Sequence, residues 1–297
     1  MPIEQFLLYI KNERNFSPLT VRSYRTDLEQ WSRFLASEGR AGAEAKATAN
    51  DIRRWLLVRA DSGDGPLTLR RKTQSLRAFY RYLMKVGTIS DNPAAEIELA
   101  KMPKRLPQYV RETNMDSLLD GDLDETDFTS VRDRLMLMMM YETGIRRAEL
   151  IGLRDVNVDT GKCELKVHGK RDKDRIVPFG AELKHYIEMY RELRDSQVGV
   201  SDEFFVCASG KPLYPSLVYK VVHDSLMEVG GSDKKSPHVL RHSFASAMLN
   251  GGAGINSVKE LLGHQSLAAT QIYTHITFGE LKDSYNHAHP RALKKGG

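Results

Sequence analysis

A segment near residue 100 that is rich in proline and basic residues sets the strongest constraint on how this chain folds. Residues 93–107 contain three prolines and three lysines or arginines. Proline fixes φ and lacks an N–H donor, so this segment favours an extended linker over a helix. A chain of 297 residues is also longer than one average core serves. We therefore predict two domains, residues 1–100 and 109–297, joined by a basic linker at 101–108.

Helical periodicity extends over the first hundred residues. Ser17 and Pro18 have the residue types of an N-cap and a first helical position. Apolar residues then recur at three- and four-residue steps on one face: Val21, Tyr24, Leu28, Trp31 and Leu35. Further helices are predicted over 51–57 and from Thr68 to about Gly87. Because no alternating strand pattern occurs here, the first domain is predicted to be all-helical.

Six basic residues on the last of these predicted helices form a stripe of positive charge. They are Arg70, Arg71, Lys72, Arg77, Arg81 and Lys85. Cations at such spacings repel one another unless an anion lies beside them. Two interpretations are open at this point: a solvated helix face, and a row of phosphate contacts.

The rest of the chain combines helical segments with one pair of strands. Cys163, Leu165 and Val167 alternate with polar residues, which is the periodicity of a strand. A charged turn at 169–174 precedes a returning strand at 175–178. Helices are predicted near 114–120, 129–142, 181–194, 215–229, 238–250, 256–262 and 266–275. The expected fold class is mainly α with a small antiparallel β-sheet, an all-helical domain followed by an α+β domain.

Composition limits the cellular context and the kind of ligand. Lys and Arg outnumber Asp and Glu by 44 to 39, and the net charge of +5 is too small to establish nucleic-acid binding by itself. Cys163 and Cys207 lie far apart, which argues against a disulfide scaffold or a zinc ribbon and favours a reducing compartment. We expect no signal peptide, because the opening residues have no basic leader and only a short apolar run, and no membrane span, because the longest apolar run is far too short. We expect a cytoplasmic protein without a membrane partner.

Two motifs of the second domain place arginine and histidine side chains in characteristic positions. Arg146 lies in TGIRRAEL, three residues before Glu149, a spacing that is also typical of a surface ion pair. His238 and Arg241 lie in HVLRH and share one helix face, with Ser236 as the predicted N-cap. An incidental histidine–arginine pair on a capped helix is the alternative for this second motif.

A zinc site is the other alternative for HVLRH. His238 and His242 are four residues apart, as in a zinc-binding helix, but Val239 follows where a metalloprotease has glutamate. No third ligand follows at a convincing spacing. The sequence also contains no P-loop motif, so we predict neither a metal nor a nucleotide cofactor.

Three further residues complete the set. Lys170 lies at the tip of the predicted hairpin, where most lysines are simply exposed, His264 follows a glycine, and Tyr273 lies on a short predicted helix, where a lone tyrosine usually belongs to the core. With the two arginines and His238, they form a cationic pocket around one weakly acidic hydroxyl. Such a pocket is complementary to a phosphodiester.

The order of these motifs resembles the tyrosine recombinase (lambda-integrase) family and, within it, the bacterial Xer recombinases. The resemblance rests on TGIRRAEL, HGKRDKDRIVP, HVLRH, GH and YTH in this order, on SPLTVRSYRTDLEQW near the N-terminus and on the PKRLP linker. Ala148 stands where the family usually has serine, and Arg171 where a glycine often follows the hairpin lysine. The resemblance covers nearly the whole chain and implies a core-binding, SAM-like domain followed by a catalytic domain.

The resemblance implies a site-specific DNA recombinase that works through a covalent 3′-phosphotyrosine, without ATP or metal. Tyr273 would be the nucleophile. Forming its phenolate at pH 7 costs about 4 kcal/mol, which nearby cations and a base offset. Arg146 and Arg241 would bind the non-bridging oxygens of the phosphate, and His264 would donate another hydrogen bond.

Proton transfer and DNA positioning fall to other residues in this interpretation. His238 would accept the phenolic proton, and Lys170 would protonate the departing 5′-oxygen. The basic stripe, Arg77, Arg81 and Lys85 in particular, would contact phosphates of the duplex, which positions the protein without specifying a sequence.

The implied partners are duplex DNA with a recombination site and a tetramer, because strand exchange needs two duplexes and four active sites. The resemblance leaves open whether a second, different recombinase shares the tetramer and whether a DNA translocase activates it. Phe278, Leu281 and Tyr285 predict an amphipathic tail helix. In the family this helix docks on a neighbouring subunit, and the alternative is packing on its own domain.

The expected biological role is chromosome dimer resolution at a dif-like site. An integrase of a mobile element is the alternative, and a type IB topoisomerase is a weaker one because of the helical N-terminal domain and the tail. A DNA-binding protein that has lost catalysis is the remaining alternative.

Overall fold

Each of two compact units has its own apolar core. The computed structural model describes residues 2–98, 109–169, 173–229, 235–263 and 278–292. The chain divides into Met1–Arg105 and Leu106–Gly297. The predicted linker at 101–108 lies outside the described residues. None of the helices within the described ranges is long and apolar enough to cross a membrane.

The described part of the first unit contains four α-helices, of which the last three agree with the predicted periodicity. They are α1 (Pro2–Asn12), α2 (Pro18–Ser37), α3 (Ala49–Asp61) and α4 (Pro66–Lys85). Ser17 caps α2 by accepting a hydrogen bond from the backbone N–H of Thr20. Thr48 and Asp51 form a capping box at the start of α3. Both α2 and α4 begin with proline, whose missing N–H is not needed in a first turn.

The core of the first unit is built around two tryptophans. Trp31 and Trp55 are fully buried and pack edge to face, with ring centroids 5.3 Å apart. The indole N–H of Trp31 donates to the hydroxyl of Tyr80 at 3.0 Å, and this hydroxyl donates to the backbone carbonyl of Glu44 at 3.1 Å. These two hydrogen bonds provide partners for the indole N–H of Trp31 and the hydroxyl of Tyr80, as buried polar groups require.

The second unit combines α-helices with a small antiparallel sheet, which confirms the predicted fold class. The helices are α5 (Glu112–Leu119), α6 (Phe128–Thr143), α7 (Arg147–Ile151), α8 (Ala181–Gln197), α9 (Pro215–Val229), α10 (Pro237–Asn250), α11 (Ile255–Leu262) and α12 (Phe278–Ala288). The strands are β1 (Val158–Asp159), β2 (Glu164–Gly169) and β3 (Lys173–Pro178), paired in the order β1–β2–β3. Across the β2–β3 ladder, Leu165 lies opposite Val177 and Val167 lies opposite Arg175.

Helix α6 is the central helix of the second unit and ends beside α10 and α11. All residues from 135 to 143 are buried, as expected for a helix surrounded by protein. Gly144 follows in the left-handed region, with φ of 61°. A Cβ at this position would lie 2.4 Å from Cδ1 of Phe244 and 2.9 Å from Cδ2 of Leu262. Glycine therefore allows the close approach of three helix segments, and the candidate site forms where they meet.

The tail helix α12 packs on its own unit. Tyr285 is fully buried and Leu281 is 7% exposed, in contact with α10, α11 and β3. Beyond the helix, Arg291 is 1% exposed and forms ion pairs with four carboxylates: Asp116, Asp120, Glu142 and Glu182. Of the two arrangements considered for the tail, this single chain adopts the one within its own domain.

Candidate active site

The two arginines predicted to bind phosphate lie together at the C-terminal ends of α6 and α11. Arg241, on α10, donates to the carbonyl oxygens of Gly144 and Leu262, both at 2.6 Å. Arg146 precedes α7 and donates to the carbonyl oxygen of Gly263 at 3.2 Å. Gly144 and Gly263 are the C-cap residues of α6 and α11. Both guanidinium groups are therefore held where helix dipoles present negative charge.

One buried carboxylate orients Arg146. Glu149 accepts hydrogen bonds from the guanidinium and from the backbone N–H of Arg146, both at 2.7 Å. Arg175, on β3, donates to the two carboxylate oxygens of Glu149 at 3.0 and 2.8 Å. Burial alone would raise the pKa of Glu149, but the hydrogen bond and charge of Arg175 and the hydrogen bonds from Arg146 lower it to about 2. The carboxylate is therefore ionised at any physiological pH.

Arg241 is a buried cation whose surroundings supply too little negative charge. It is 8% exposed, and its hydrogen bonds within the described part of the chain go to carbonyl oxygens. Burial lowers the pKa of Arg241 to about 10, and the positive charges of Arg146 and Arg175 act in the same direction, partly opposed by Glu149. The side chain still carries its charge at pH 7. A bound anion would relieve this deficit.

His238 lies one turn before Arg241 on α10, with its side chain exposed. Desolvation lowers its pKa below the ordinary 6.5. The positive charges of four neighbours lower it further: His242, Arg147, Arg241 and Arg146. The imidazole is therefore neutral at pH 7, which is the form that accepts a proton.

The structure thus brings together three of the six predicted catalytic residues, Arg146, His238 and Arg241. The other three, Lys170, His264 and Tyr273, lie outside the described residues.

Sequence reasoning missed one cation of this cluster. The strand pattern includes Arg175 but assigns it no role, although Arg175 alternates with Ile176 and shares a face with buried Val177. A charged residue on the inward face of a strand requires a buried partner. That pattern was the available signal, and the partner is Glu149.

Lys72 does not belong to the predicted stripe of phosphate contacts. It is 2% exposed, and its ammonium group lies 3.3 Å from a carboxylate oxygen of fully buried Asp27 and 3.6 Å from one of Asp64. Arg71 also binds Asp27. Because buried charges require partners, Lys72 stabilises the interior of the first unit, and the prediction that it contacts DNA is wrong in this structure.

The remaining basic residues of α4 divide into two kinds. Arg77 is half-buried and donates to the backbone carbonyl oxygens of Ala94 and Ile97 at 3.0 and 2.6 Å, which fixes the segment that follows α4. The exposed side chains are those of Arg70, Arg81 and Lys85. The cations available on this helix surface are therefore fewer than the sequence pattern predicts.

Comparison with known sequences establishes the family. The chain matches the Phage integrase family over residues 108–280 and the N-terminal SAM-like domain of phage integrases over residues 3–87. It is 38% identical over 317 residues to tyrosine recombinase XerC of Chlorobaculum parvum, a match that covers 98% of this chain and 94% of that protein. The chain belongs to the tyrosine recombinase family.

Further relatives agree with this family. Tyrosine recombinase XerD of Oceanobacillus iheyensis is 34% identical, over 98% of each chain. The fold is shared with XerH site-specific recombinase in a post-cleavage complex with a palindromic difH substrate, with a TM-score of 0.72 and 21% identity over 96% of this chain and 84% of that chain. As a tyrosine recombinase, the protein is an enzyme of site-specific DNA cleavage and rejoining.

Proposed function

We propose that this tyrosine recombinase cuts duplex DNA through a 3′-phosphotyrosine formed by Tyr273 and exchanges strands between two copies of one site. The observation that carries the proposal is the pairing of Arg146 and Arg241 in a pocket short of negative charge. The nearby carboxylate of Glu149 is already bound by two arginines. A phosphodiester would supply the missing charge, and guanidinium groups suit its oxygens.

The chemistry follows from the roles of the six residues. The phenolic oxygen of Tyr273 attacks phosphorus, its proton passes to neutral His238, and the bond to the 5′-oxygen breaks. Lys170 protonates that leaving oxygen. Arg146, Arg241 and His264 stabilise the charge that grows on the non-bridging oxygens.

Strand exchange is the reverse reaction with a different 5′-hydroxyl. The hydroxyl attacks the phosphotyrosine, a new phosphodiester forms, and the tyrosine is released. Because the covalent intermediate keeps the energy of the original phosphodiester, the proposed cycle needs no nucleotide hydrolysis.

The proposed biological role is chromosome dimer resolution at a dif-like site. The names XerC and XerD of the relatives support it, as does the difH-bound XerH structure. An integrase of a mobile element would use the same chemistry at another site. Trapping the covalent adduct in genomic DNA and sequencing the attached ends would distinguish the two, because the cut maps either to one chromosomal locus or to the ends of an element.

We further propose that the protein acts on two duplexes as a tetramer, either a homo-tetramer or a hetero-tetramer with a second recombinase. A lambda integrase tetramer bound to a Holliday junction shares the fold, with a TM-score of 0.68 at 17% identity. Within the first unit, the exposed Arg70, Arg81 and Lys85 are the residues of α4 available for phosphate contacts.

The central test is Tyr273→Phe on a nicked suicide substrate that carries the dif-like site. We expect the wild-type chain to form a covalent protein–DNA adduct, seen as a band of lower mobility in a denaturing gel, and the variant to form none. Tyr186→Phe, a half-buried tyrosine on α8, is the matched control and should cleave like the wild type.

Two results would contradict the proposal. An adduct formed by Tyr273→Phe would remove the nucleophile assignment. Relaxation of a supercoiled plasmid without any recombined product from two-site DNA would indicate a type IB topoisomerase instead.

A further inference from the structure

Arg175 connects three separate elements at the edge of the candidate site. From β3, its two terminal nitrogens donate to the carboxylate of Glu149 at 3.0 and 2.8 Å. Its Nε donates to the carbonyl oxygen of Leu261, in the last turn of α11, at 2.8 Å. The side chains of Arg175 and Glu149 are 12% and 6% exposed. This ion pair is therefore largely shielded from solvent, and its geometry is better defined than that of a surface ion pair.

Arg175 contacts the groups that hold Arg146 and Arg241, the two arginines proposed to bind phosphate. Each of its three nitrogens is bonded to protein, so its guanidinium already has partners without DNA. Gly263 packs closely against it, since a Cβ there would lie 3.3 Å from Cδ of Arg175. The two groups that it holds, Glu149 and the end of α11, are the groups that orient Arg146 and Arg241.

We propose that Arg175 is a positioning residue for DNA cleavage. It fixes the carboxylate of Glu149, which fixes the guanidinium of Arg146. It also fixes the last turn of α11, where the carbonyl oxygens of Leu262 and Gly263 receive Arg241 and Arg146. One side chain thereby sets the distance between the two phosphate-binding groups. The inference rests on the proposed function, since it assigns a role within that site.

Lysine cannot replace arginine in this role. An ammonium group is a single point of positive charge, whereas Arg175 uses a planar fork for Glu149 and a third nitrogen for Leu261. An experiment can therefore separate the two properties, because Arg175→Lys keeps the positive charge and loses the planar hydrogen-bonding geometry.

The test measures DNA affinity and the first-order rate of adduct formation separately, with the full-length chain and the nicked dif-like duplex. We expect Arg175→Gln to slow adduct formation about 100-fold, because a displacement near 1 Å has effects of this size. Arg175→Lys should slow it about tenfold, and both variants should bind the duplex within about threefold of the wild type. Arg154→Gln, which removes an exposed arginine paired with exposed Asp202, is the matched control and should change neither quantity.

A double variant tests the pathway through Glu149. If Arg175 acts through this carboxylate, the effects of Arg175→Gln and Glu149→Gln overlap. The fold-decrease in the rate of adduct formation in the double variant is then smaller than the product of the two single fold-decreases. Fully multiplicative losses would overturn the coupling. In Arg175→Gln alone, Glu149 keeps its ion pair with Arg146 but loses the one with Arg175, and the double variant removes this carboxylate charge.

The outcomes separate the two proposals. A wild-type chain that forms no adduct removes the proposed function itself. If the wild type cleaves, two results for Arg175→Gln overturn the positioning role alone. One is cleavage at the wild-type rate, and the other is a loss of DNA affinity as large as the loss of rate. Should Arg175→Gln not fold, Arg175→Lys is judged by the same criterion, and cleavage at the wild-type rate overturns the role.

Discussion

Two of the buried arginines of the second unit, Arg291 and Arg241, lie in opposite surroundings. Arg291 forms ion pairs with four carboxylates, whereas Arg241 bonds to two carbonyl oxygens and lies near two other arginines. Burial by itself lowers the pKa of both. The carboxylates around Arg291 raise its pKa above the ordinary value, while the pKa of Arg241 falls to about 10.

The contrast separates Arg291, a cation with a structural role, from Arg241, a cation that we propose binds an anionic ligand. Around Arg291, negative charge exceeds positive charge, so the arginine stabilises the carboxylates that would otherwise repel one another. Around Arg241, the balance is reversed, and the protein holds the charge in place through helix ends alone. Stability should therefore depend on the first arginine and catalysis on the second.

Arg291→Gln is expected to produce the largest effect on stability. Removing the guanidinium takes away the positive charge beside fully buried Glu142 and nearly buried Glu182, which costs about 3–5 kcal/mol in the free energy of unfolding. Chemical denaturation followed by far-UV circular dichroism measures the loss. Both tryptophans of the chain, Trp31 and Trp55, lie in the first unit. Tryptophan fluorescence therefore serves as an internal control and should report an unchanged transition for that unit.

A loss below about 1 kcal/mol would contradict this interpretation, since it would place the Arg291 cluster with ordinary surface ion pairs.

Arg241→Gln should show the opposite pattern. We expect the rate of adduct formation to fall about 100- to 1,000-fold, as for removal of one donor to a developing anionic oxygen. The free energy of unfolding should change little, because glutamine also removes the cost of burying an unneutralised charge. Adduct formation on the nicked duplex and the same denaturation experiment measure both. A stability loss as large as that of Arg291→Gln would end the distinction between the two arginines.

The smallest expected effect is a pH dependence that comes from His238. Its pKa is lowered from 6.5, so the neutral, proton-accepting form persists to a lower pH than in a free histidine. Cleavage at low DNA concentration should be constant near pH 7 and decrease about tenfold per pH unit below that lowered pKa. Rates measured across this range for the wild type and His238→Gln provide the check. A variant that keeps the acidic decrease would show that another group titrates.

Local signals in the sequence predict most of the secondary structure. Pro18 marks the start of α2, alternation predicts β2, and the charged turn after it predicts β3 as the returning strand. Ser236 occupies the N-cap position of α10 as predicted, but its side chain makes no capping hydrogen bond. Helix α7 was missed because its five residues span little more than one turn, too short for an amphipathic pattern.

Long-range partners were not predictable from local patterns. The burial of Lys72 depends on Asp27, 45 residues away, so spacing along α4 could not separate it from the exposed cations. The position of Arg175 likewise depends on Glu149, 26 residues earlier. Periodicity predicts the apolar face of α12 but does not say which surface covers it. In each case the missing information is the identity of the facing element.

The hydrogen bonds of Arg241 and Arg146 also bear on protein synthesis. Arg241 bonds to Gly144, 97 positions earlier in the chain, and Arg146 bonds to Gly263, 117 positions later. Chains emerge from the ribosome with the N-terminus first, and contacts between distant residues form only after both have been made. A prematurely terminated product that ends before α10 lacks one guanidinium and both helix-end supports from α11. Such a fragment therefore lacks half of the arginine pair proposed to bind phosphate, and this pair can form only after α10 and α11 have been synthesised.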